Sequence, residues 1–168
     1  MAKRRVAAAE PSLKIADFLA LVHGGVATRL GSGLDGFDSR QRFGYVQYYR
    51  GDPGVHYEVW AQRKTGRVEV GLHFESADRD ANYAALAKLA DRIDDLFAAI
   101  GPEWELEEWT PQWTRVHRTL AGASLTSEVA DAAAAQVVEL IEGMEPLLAE
   151  IMPVARPPAR ARTPAKAR

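Results

Sequence analysis

The chain contains no cysteine, and this absence removes several kinds of site from consideration. Without thiols there is no disulfide, no cysteine nucleophile and no zinc site built on thiolates. A cysteine-free chain suits a reducing compartment, and we expect a cytoplasmic protein. At 168 residues the chain is long enough to bury a core without covalent or metal cross-links, so we predict a single domain.

Long hydrophobic segments are also missing. The longest apolar run, from Phe18 to Val22, is far shorter than the ~20 residues that a helix needs to cross a bilayer. The first ten residues contain basic side chains but no apolar stretch of signal-peptide length. We therefore expect an intracellular protein that does not contact a membrane.

The net charge of −2 conceals an uneven distribution. Residues 11–152 carry 22 acidic and 13 basic side chains, whereas both ends of the chain are basic. We predict a disordered basic N-terminus (1–10), a single α+β domain (11–152) and a disordered tail of Pro, Ala and Arg (153–168). Because an acidic body repels phosphate groups, any weak nucleic-acid contact is expected to come from the basic ends.

A β-hairpin from Val55 to Glu75 is the strongest pattern in the chain. Apolar and polar side chains alternate on both sides of a turn at 64–67, as is typical of half-buried strands. Gly66 supplies the positive φ that such a turn needs. A two-residue loop formed by Thr65 and Gly66, or a four-residue loop, predicts that Tyr57 lies opposite Phe74.

This register pairs histidines with glutamates on the polar face of the hairpin. His56 is expected opposite Glu75, and Glu58 opposite His73. Pairs of this kind can hold a divalent metal or form a titrating acid–base pair. Ordinary cross-strand ion pairs explain the same residues, and no motif of established ligand spacing is matched. We therefore predict no bound metal and no cofactor.

One more strand and a second hairpin complete the predicted sheet. A strand over residues 42–50 joins the central hairpin through a turn at 51–54, which gives a three-stranded meander. The second hairpin turns around Pro111 and Gln112. Its expected register pairs Leu106 with Val116, Glu105 with His117 and Glu107 with Arg115.

Three helices are predicted from apolar stripes of helical period. A short N-terminal helix capped by Ser12 ends at Gly24 and Gly25, and a loop covers residues 31–38. A long helix over residues 78–100 crosses the sheet, and a last helix starts at Thr126 and is bent or broken near Pro146. The fold class is α+β: a mostly antiparallel sheet of about five strands, with two long helices on one face and a short N-terminal helix.

Three stretches carry a resemblance to a known family. They are Arg67-Val68-Glu69-Val70-Gly71-Leu72, the run from Ile93 through Phe97 into Gly101, and Trp104-Glu105-Leu106 followed by a short strand. Over residues 67–151 the chain resembles a bacterial domain of unknown function found alone or near restriction-endonuclease-like modules. The resemblance implies a bacterial protein of this fold, and it brings no catalytic residues with it.

The polar face of the sheet collects the candidate functional residues. Three tryptophans exposed together on a monomer would be unusual, and such clusters mark interfaces or ligand pockets. We therefore expect a non-enzymatic protein that binds a protein partner or a second copy of itself. The candidate residues are His56, Glu58, Trp60, His73, Glu75, Trp109, Trp113, Arg115 and His117.

Three alternatives remain open at the sequence level. The N-terminal helix, or the loop after it, could simply cover this face. The same histidines and glutamates could serve a small-ligand or metal-dependent enzyme, because convergent polar groups beside an aromatic wall form pockets. A nucleic-acid-associated accessory role through the basic tails is the third alternative.

Overall fold

A computed structural model describes residues 11–62, 64–120 and 124–152 of the chain. One antiparallel sheet of six strands, in the order β1-β2-β3-β4-β6-β5, forms its centre. The predicted α+β class is confirmed, with one strand more than expected. The strands are β1 (Asp38–Arg42), β2 (Tyr45–Tyr49), β3 (Val55–Gln62), β4 (Arg67–Phe74), β5 (Glu105–Glu107) and β6 (Thr114–Leu120).

The helices pack on one face of this sheet. Val59, Val70 and Leu72 point toward them and are fully buried. No helix in the described parts of the chain combines the length and the apolar character needed to cross a lipid bilayer. The described helices are α1 (Ile15–Leu30), α2 (Arg79–Ala90), α3 (Ile93–Ile100) and α4 (Ser127–Ile151), with a 3₁₀ turn at Gly31–Leu34.

The central hairpin is present, but its predicted register is wrong by two positions. Four residues separate the paired Gln62 and Arg67, and Tyr57 consequently lies opposite Leu72. Gly66 has the expected positive φ of 64°. A shift of two residues leaves every side chain on its predicted face, since side chains alternate with a period of two.

The second hairpin has the predicted register. Leu106 lies opposite Val116, Glu105 opposite His117 and Glu107 opposite Arg115. Strand β6 also pairs with β4, which joins this hairpin to the meander in one continuous sheet.

Strand β1 was not predicted; it begins at Asp38, the last residue of the predicted loop at 31–38, and ends at Arg42. It pairs with β2 and forms one edge of the sheet, where Asp38, Arg40 and Arg42 alternate with Ser39 and Gln41. An edge strand of this composition has no apolar face, so the alternation that reveals a half-buried strand is missing.

Helix α1 does not stop at Gly24 and Gly25 but continues to Leu30. The reason is tertiary packing. A Cβ added at Gly25 would lie 2.8 Å from the Cβ of Ala134, so this glycine lets α1 approach α4 closely. Ser12 is also not the N-cap, because the helix starts after Lys14 without a side-chain cap.

We predict opposite effects of alanine at the two neighbouring glycines. Gly24→Ala is expected to stabilise the protein by about 0.5–1 kcal/mol, because a Cβ there meets nothing within 4 Å and alanine favours the helix. Gly25→Ala is expected to destabilise the protein by roughly 1 kcal/mol. The steric overlap with α4 costs more than the gain in helix propensity. Urea unfolding of both variants checks this, and equal effects would contradict the close contact between α1 and α4.

The predicted helix over residues 78–100 is two helices rather than one. Asp78 caps α2 as expected, with its carboxylate accepting from the backbone N–H groups of Asp80 and Ala81. The chain leaves helical geometry at Arg92 (φ −117°, ψ 35°). The Arg92 side chain pairs with Glu150 of α4, so a tertiary contact accompanies the break. Neither helix is therefore long enough to cross the whole sheet.

Helix α4 begins after the predicted cap Thr126, whose hydroxyl accepts from the N–H of Val129. The helix is not broken near Pro146, which was one of the two predicted outcomes, and it runs on to Ile151. Met144 and Leu148, on either side of the proline, are buried in the core. Packing of this kind stabilises a helix more than local propensity does. The predicted tails, 1–10 and 153–168, lie outside the described residues.

Candidate functional site

We use the name His/Trp face for the sheet face opposite the helices. It is defined by His56, Glu58, Trp60, His73, Glu75, Trp109, Trp113, Arg115 and His117. All nine predicted residues lie on this face, and the strand registers pair His56 with His73 and His73 with Arg115. Trp109 and Trp113 come from the loop between β5 and β6.

Trp109 lies over the centre of the His/Trp face. Its ring is 5.4 Å from the His73 ring, 6.3 Å from Trp60 and 6.0 Å from Trp113, measured between centroids. The guanidinium carbon of Arg115 stands 4.6 Å from the same ring centroid, within the range of a cation–π contact. The centre of the His/Trp face is therefore covered by the Trp109 side chain, which comes from the second hairpin.

The expectation that the N-terminal helix or the following loop covers this face is wrong for the described residues. Helix α1 packs against α4 on the opposite side, where His23 stacks on Tyr48. The loop after it also lies there, with the Phe37 ring 6.1 Å from the Tyr57 ring. All three tryptophans of the face remain half-buried rather than buried.

Gln47 fixes the orientation of His56, and this residue was not recognised from the sequence. The Gln47 amide nitrogen lies 2.9 Å from His56 Nε2 and donates to Glu58 at 2.5 Å, while its oxygen accepts from Arg40 at 2.6 Å. His56 Nδ1 is 2.8 Å from the carbonyl oxygen of Pro53. Strand alternation places Gln47 on the same side of β2 as Tyr45 and Tyr49, so its face could be predicted but its role could not.

His73 lies between two carboxylates. Its Nδ1 is 3.0 Å from Glu75, and its Nε2 is 3.6 Å from Glu69. Burial alone lowers the pKa of His73, but the nearby Glu69 carboxylate and the hydrogen bond with Glu75 outweigh burial and raise this pKa to about 9. Burial raises the pKa of each carboxyl, yet the interaction with His73 holds the pKa of Glu69 and of Glu75 below the usual range.

Glu69 is the second residue that the candidate list omitted, although it shares the face of His73 by strand alternation. Its carboxylate accepts a 2.6 Å hydrogen bond from Arg115, whose Nε donates to Glu107 at 2.7 Å. His117 stands beside this pair, 3.1 Å from Glu107. Burial and the positive charge of Arg115 lower the pKa of His117.

Gly71 makes room for the His73 ring. A Cβ at this position would lie 3.0 Å from His73 Nε2 and 3.1 Å from the carbonyl oxygen of Val116. The register predicted from the sequence would also place Trp60 opposite Gly71, but Trp60 lies opposite Glu69. The absence of a side chain at Gly71 therefore leaves space for the His73 imidazole, not for the Trp60 indole.

The buried His73 predicts a distinctive pH dependence of stability. Because its folded pKa is raised from 6.5 to about 9, its contribution is complete below pH 6.5 and is lost as the pH rises through 9. The expected loss is on the order of 3 kcal/mol. The lowered pKa values of Glu69 and Glu75 give the opposite slope below pH 4.5, so stability is greatest between these limits.

Urea unfolding between pH 6 and 10, with a chelator present, measures the alkaline side of this profile. A His73→Gln variant serves as the control, and its stability is expected to change much less over the same range. Parallel slopes for the two proteins would show that His73 does not carry the effect.

Three donors on this face are close enough to share one ion. One ligand atom from each of His56, His73 and Glu75 lies within 4.8 Å of the other two. Both imidazoles are buried, with 1% of each residue exposed, while Glu75 reaches the surface.

No family model, curated protein or solved structure matches the chain. The resemblance over residues 67–151 therefore stays a prediction.

Proposed function

We propose that the protein acts by self-association through the His/Trp face rather than by catalysis. The observation that carries this proposal is a cluster of three half-buried tryptophans, Trp60, Trp109 and Trp113, on a sheet face that none of the described helices covers. Half-buried aromatic side chains of this kind are enriched at interfaces, because burying them completely against a partner is strongly favourable.

The charges across the face favour a second copy of the chain as the partner. Edge strand β1 places Arg40 and Arg42 on this face, with Asp38 at the start of the strand. The opposite edge, β5, places Glu105 and Glu107 there. A two-fold axis parallel to the strands sets β1 of one copy over β5 of the other. Basic and acidic edges then meet twice, as an isologous dimer requires.

The centre of the face is suited to rigid support rather than to acid–base chemistry. Glu58 accepts from Gln47, and Glu69 is engaged by Arg115. His73 is held between Glu69 and Glu75. Charged groups that are paired in this way are poor general acids or bases, because a proton transfer would break a buried pair.

Two neighbouring positions on β3 provide the test. Trp60→Ala removes a ring from the His/Trp face, and we expect a folded protein that is monomeric at concentrations where the wild type is dimeric. Val59→Ala faces the helices and is fully buried. This control is expected to lose roughly 2 kcal/mol of stability with no change in the association constant, because two buried methyl groups are removed from the core.

Sedimentation equilibrium measures the mass of each variant, and thermal unfolding at several protein concentrations measures the linkage. For a dimer, dilution of the wild type lowers its melting temperature. A wild type that is monomeric at every concentration, or a Trp60→Ala variant with the association constant of the wild type, would contradict the proposal.

A further inference from the structure

We infer that His56, His73 and Glu75 form a site for one divalent transition-metal ion of the zinc class. A donor atom from each residue lies within 4.8 Å of the other two. The two rings face each other with centroids 5.3 Å apart and planes inclined by 23°. This inference is separate from self-association, since it concerns one chain.

The Nδ1 atoms of both rings are directed toward oxygen atoms near the turn before β3. His56 Nδ1 is 2.8 Å from the carbonyl oxygen of Pro53, and His73 Nδ1 is 3.0 Å from Glu75 Oε1. The Glu75 N–H donates to Gly54 at 2.6 Å, which places the Pro53–Gly54 turn beside this carboxylate. Two imidazole nitrogens and one carboxylate are therefore presented at the same end of β3 and β4.

Each imidazole also has a buried carboxylate behind its other nitrogen. Glu58 lies 3.7 Å from His56 Nε2, and Glu69 lies 3.6 Å from His73 Nε2. Histidines that ligate metals commonly direct the distal N–H to a carboxylate, which fixes the tautomer and strengthens the ligand. His73 Nε2 has no hydrogen-bond partner among the described atoms. With the ring proton on Nε2, His73 directs this N–H toward the Glu69 carboxylate, and its Nδ1 is left free to bind the metal.

The donor set selects the kind of metal. Two imidazoles and one carboxylate suit zinc and its transition-metal neighbours, whereas magnesium and calcium prefer all-oxygen sites. Bond lengths of about 2.0 Å require donors roughly 3.3 Å apart, so side-chain rotation must bring donors that lie within 4.8 Å closer by up to about 1.5 Å. The ring proton of His56 then moves to Nε2. Gln47 gives up its contact with that ring and keeps its bond to Glu58.

Titration of chelator-treated protein with Zn²⁺ tests the site. We expect one zinc per chain by elemental analysis after gel filtration, and Mg²⁺ is expected not to compete. Glu75→Gln and His56→Gln are each expected to weaken zinc binding at least tenfold. Because His23 lies on α1 beside Tyr48, His23→Gln is the matched control and should bind as the wild type does.

Binding of Co²⁺ supplies a second readout, because its visible absorption reports coordination by nitrogen and oxygen donors. A spectrum typical of four- or five-coordinate cobalt, lost in Glu75→Gln, supports the site. Less than one zinc per chain, or equal zinc affinity in wild type, Glu75→Gln and His56→Gln, overturns it. The histidines are then members of the ion-pair network alone, as predicted from the sequence.

Discussion

Replacing Arg115 with methionine is expected to lower the free energy of unfolding by about 3–5 kcal/mol. Glu69 retains only 4% of its side-chain exposure and accepts a 2.6 Å hydrogen bond from Arg115. Removing the guanidinium leaves that carboxylate buried and poorly compensated, because His73 Nε2 is 3.6 Å away. Urea unfolding at pH 6, where His73 is protonated, measures the loss.

The matched control for this prediction is on the same strand. Arg118 pairs with Glu103, and both side chains are substantially exposed, so Arg118→Met is expected to cost no more than about 1 kcal/mol. Adding Glu69→Gln to Arg115→Met should restore part of the lost stability, since no unpaired charge remains buried. Equal losses for the two arginine variants would show that the Arg115–Glu69 pair does not behave as a buried ion pair.

Reversing one charge at either edge of the His/Trp face is expected to weaken self-association at least tenfold. The proposed dimer places Arg42 of β1 over the acidic edge that contains Glu105, and both residues are exposed in the single chain. Arg42→Glu and Glu105→Arg each create like-charge contacts, which are costly at an interface. Because the dimer is two-fold symmetric, each substitution changes both of its β1–β5 contacts.

The double variant provides the decisive comparison. Arg42→Glu combined with Glu105→Arg exchanges the charges of the two edges and is expected to restore most of the association constant. Glu139→Arg, at an exposed position of α4 on the helix side, should leave it unchanged. Sedimentation equilibrium at low ionic strength measures all four proteins. A double variant as weak as the weaker single variant would argue against contact between β1 and β5.

The faces of the sheet could be predicted from the sequence because they depend only on a period of two. The candidate residues that lie in strands share one face for this reason, whereas Trp109 and Trp113 reach it from the loop between β5 and β6. The second hairpin also has the expected register. The register of the first hairpin depends on where its loop begins and ends, which alternation does not reveal. The loop lies between Gln62 and Arg67 rather than at 64–67, and this shift brings His56 opposite His73. The pair of imidazoles at the inferred metal site could therefore not be foreseen.

Other differences arose where tertiary contacts override local pattern. Gly25 predicts the end of a helix from sequence alone, yet it lies within α1 and packs against Ala134 of α4. The apolar stripe continues through Arg92, where the chain breaks into two helices and pairs with Glu150. Gln47 was missed because a single polar residue between two tyrosines gives no periodic signal of its own role. In each case the deciding partner is distant in sequence.

Cross-linking between two copies tests the account most directly, and the absence of cysteine makes each introduced thiol unique. Arg42→Cys protein is mixed with Glu105→Cys protein and treated with a short bismaleimide, with Glu139→Cys protein as the control partner. We predict that position 42 of one copy links to position 105 of the other, at twice the 18.4 kDa mass of the chain. Exclusively monomeric products, or links formed equally well with the Glu139→Cys control, would contradict self-association through the His/Trp face.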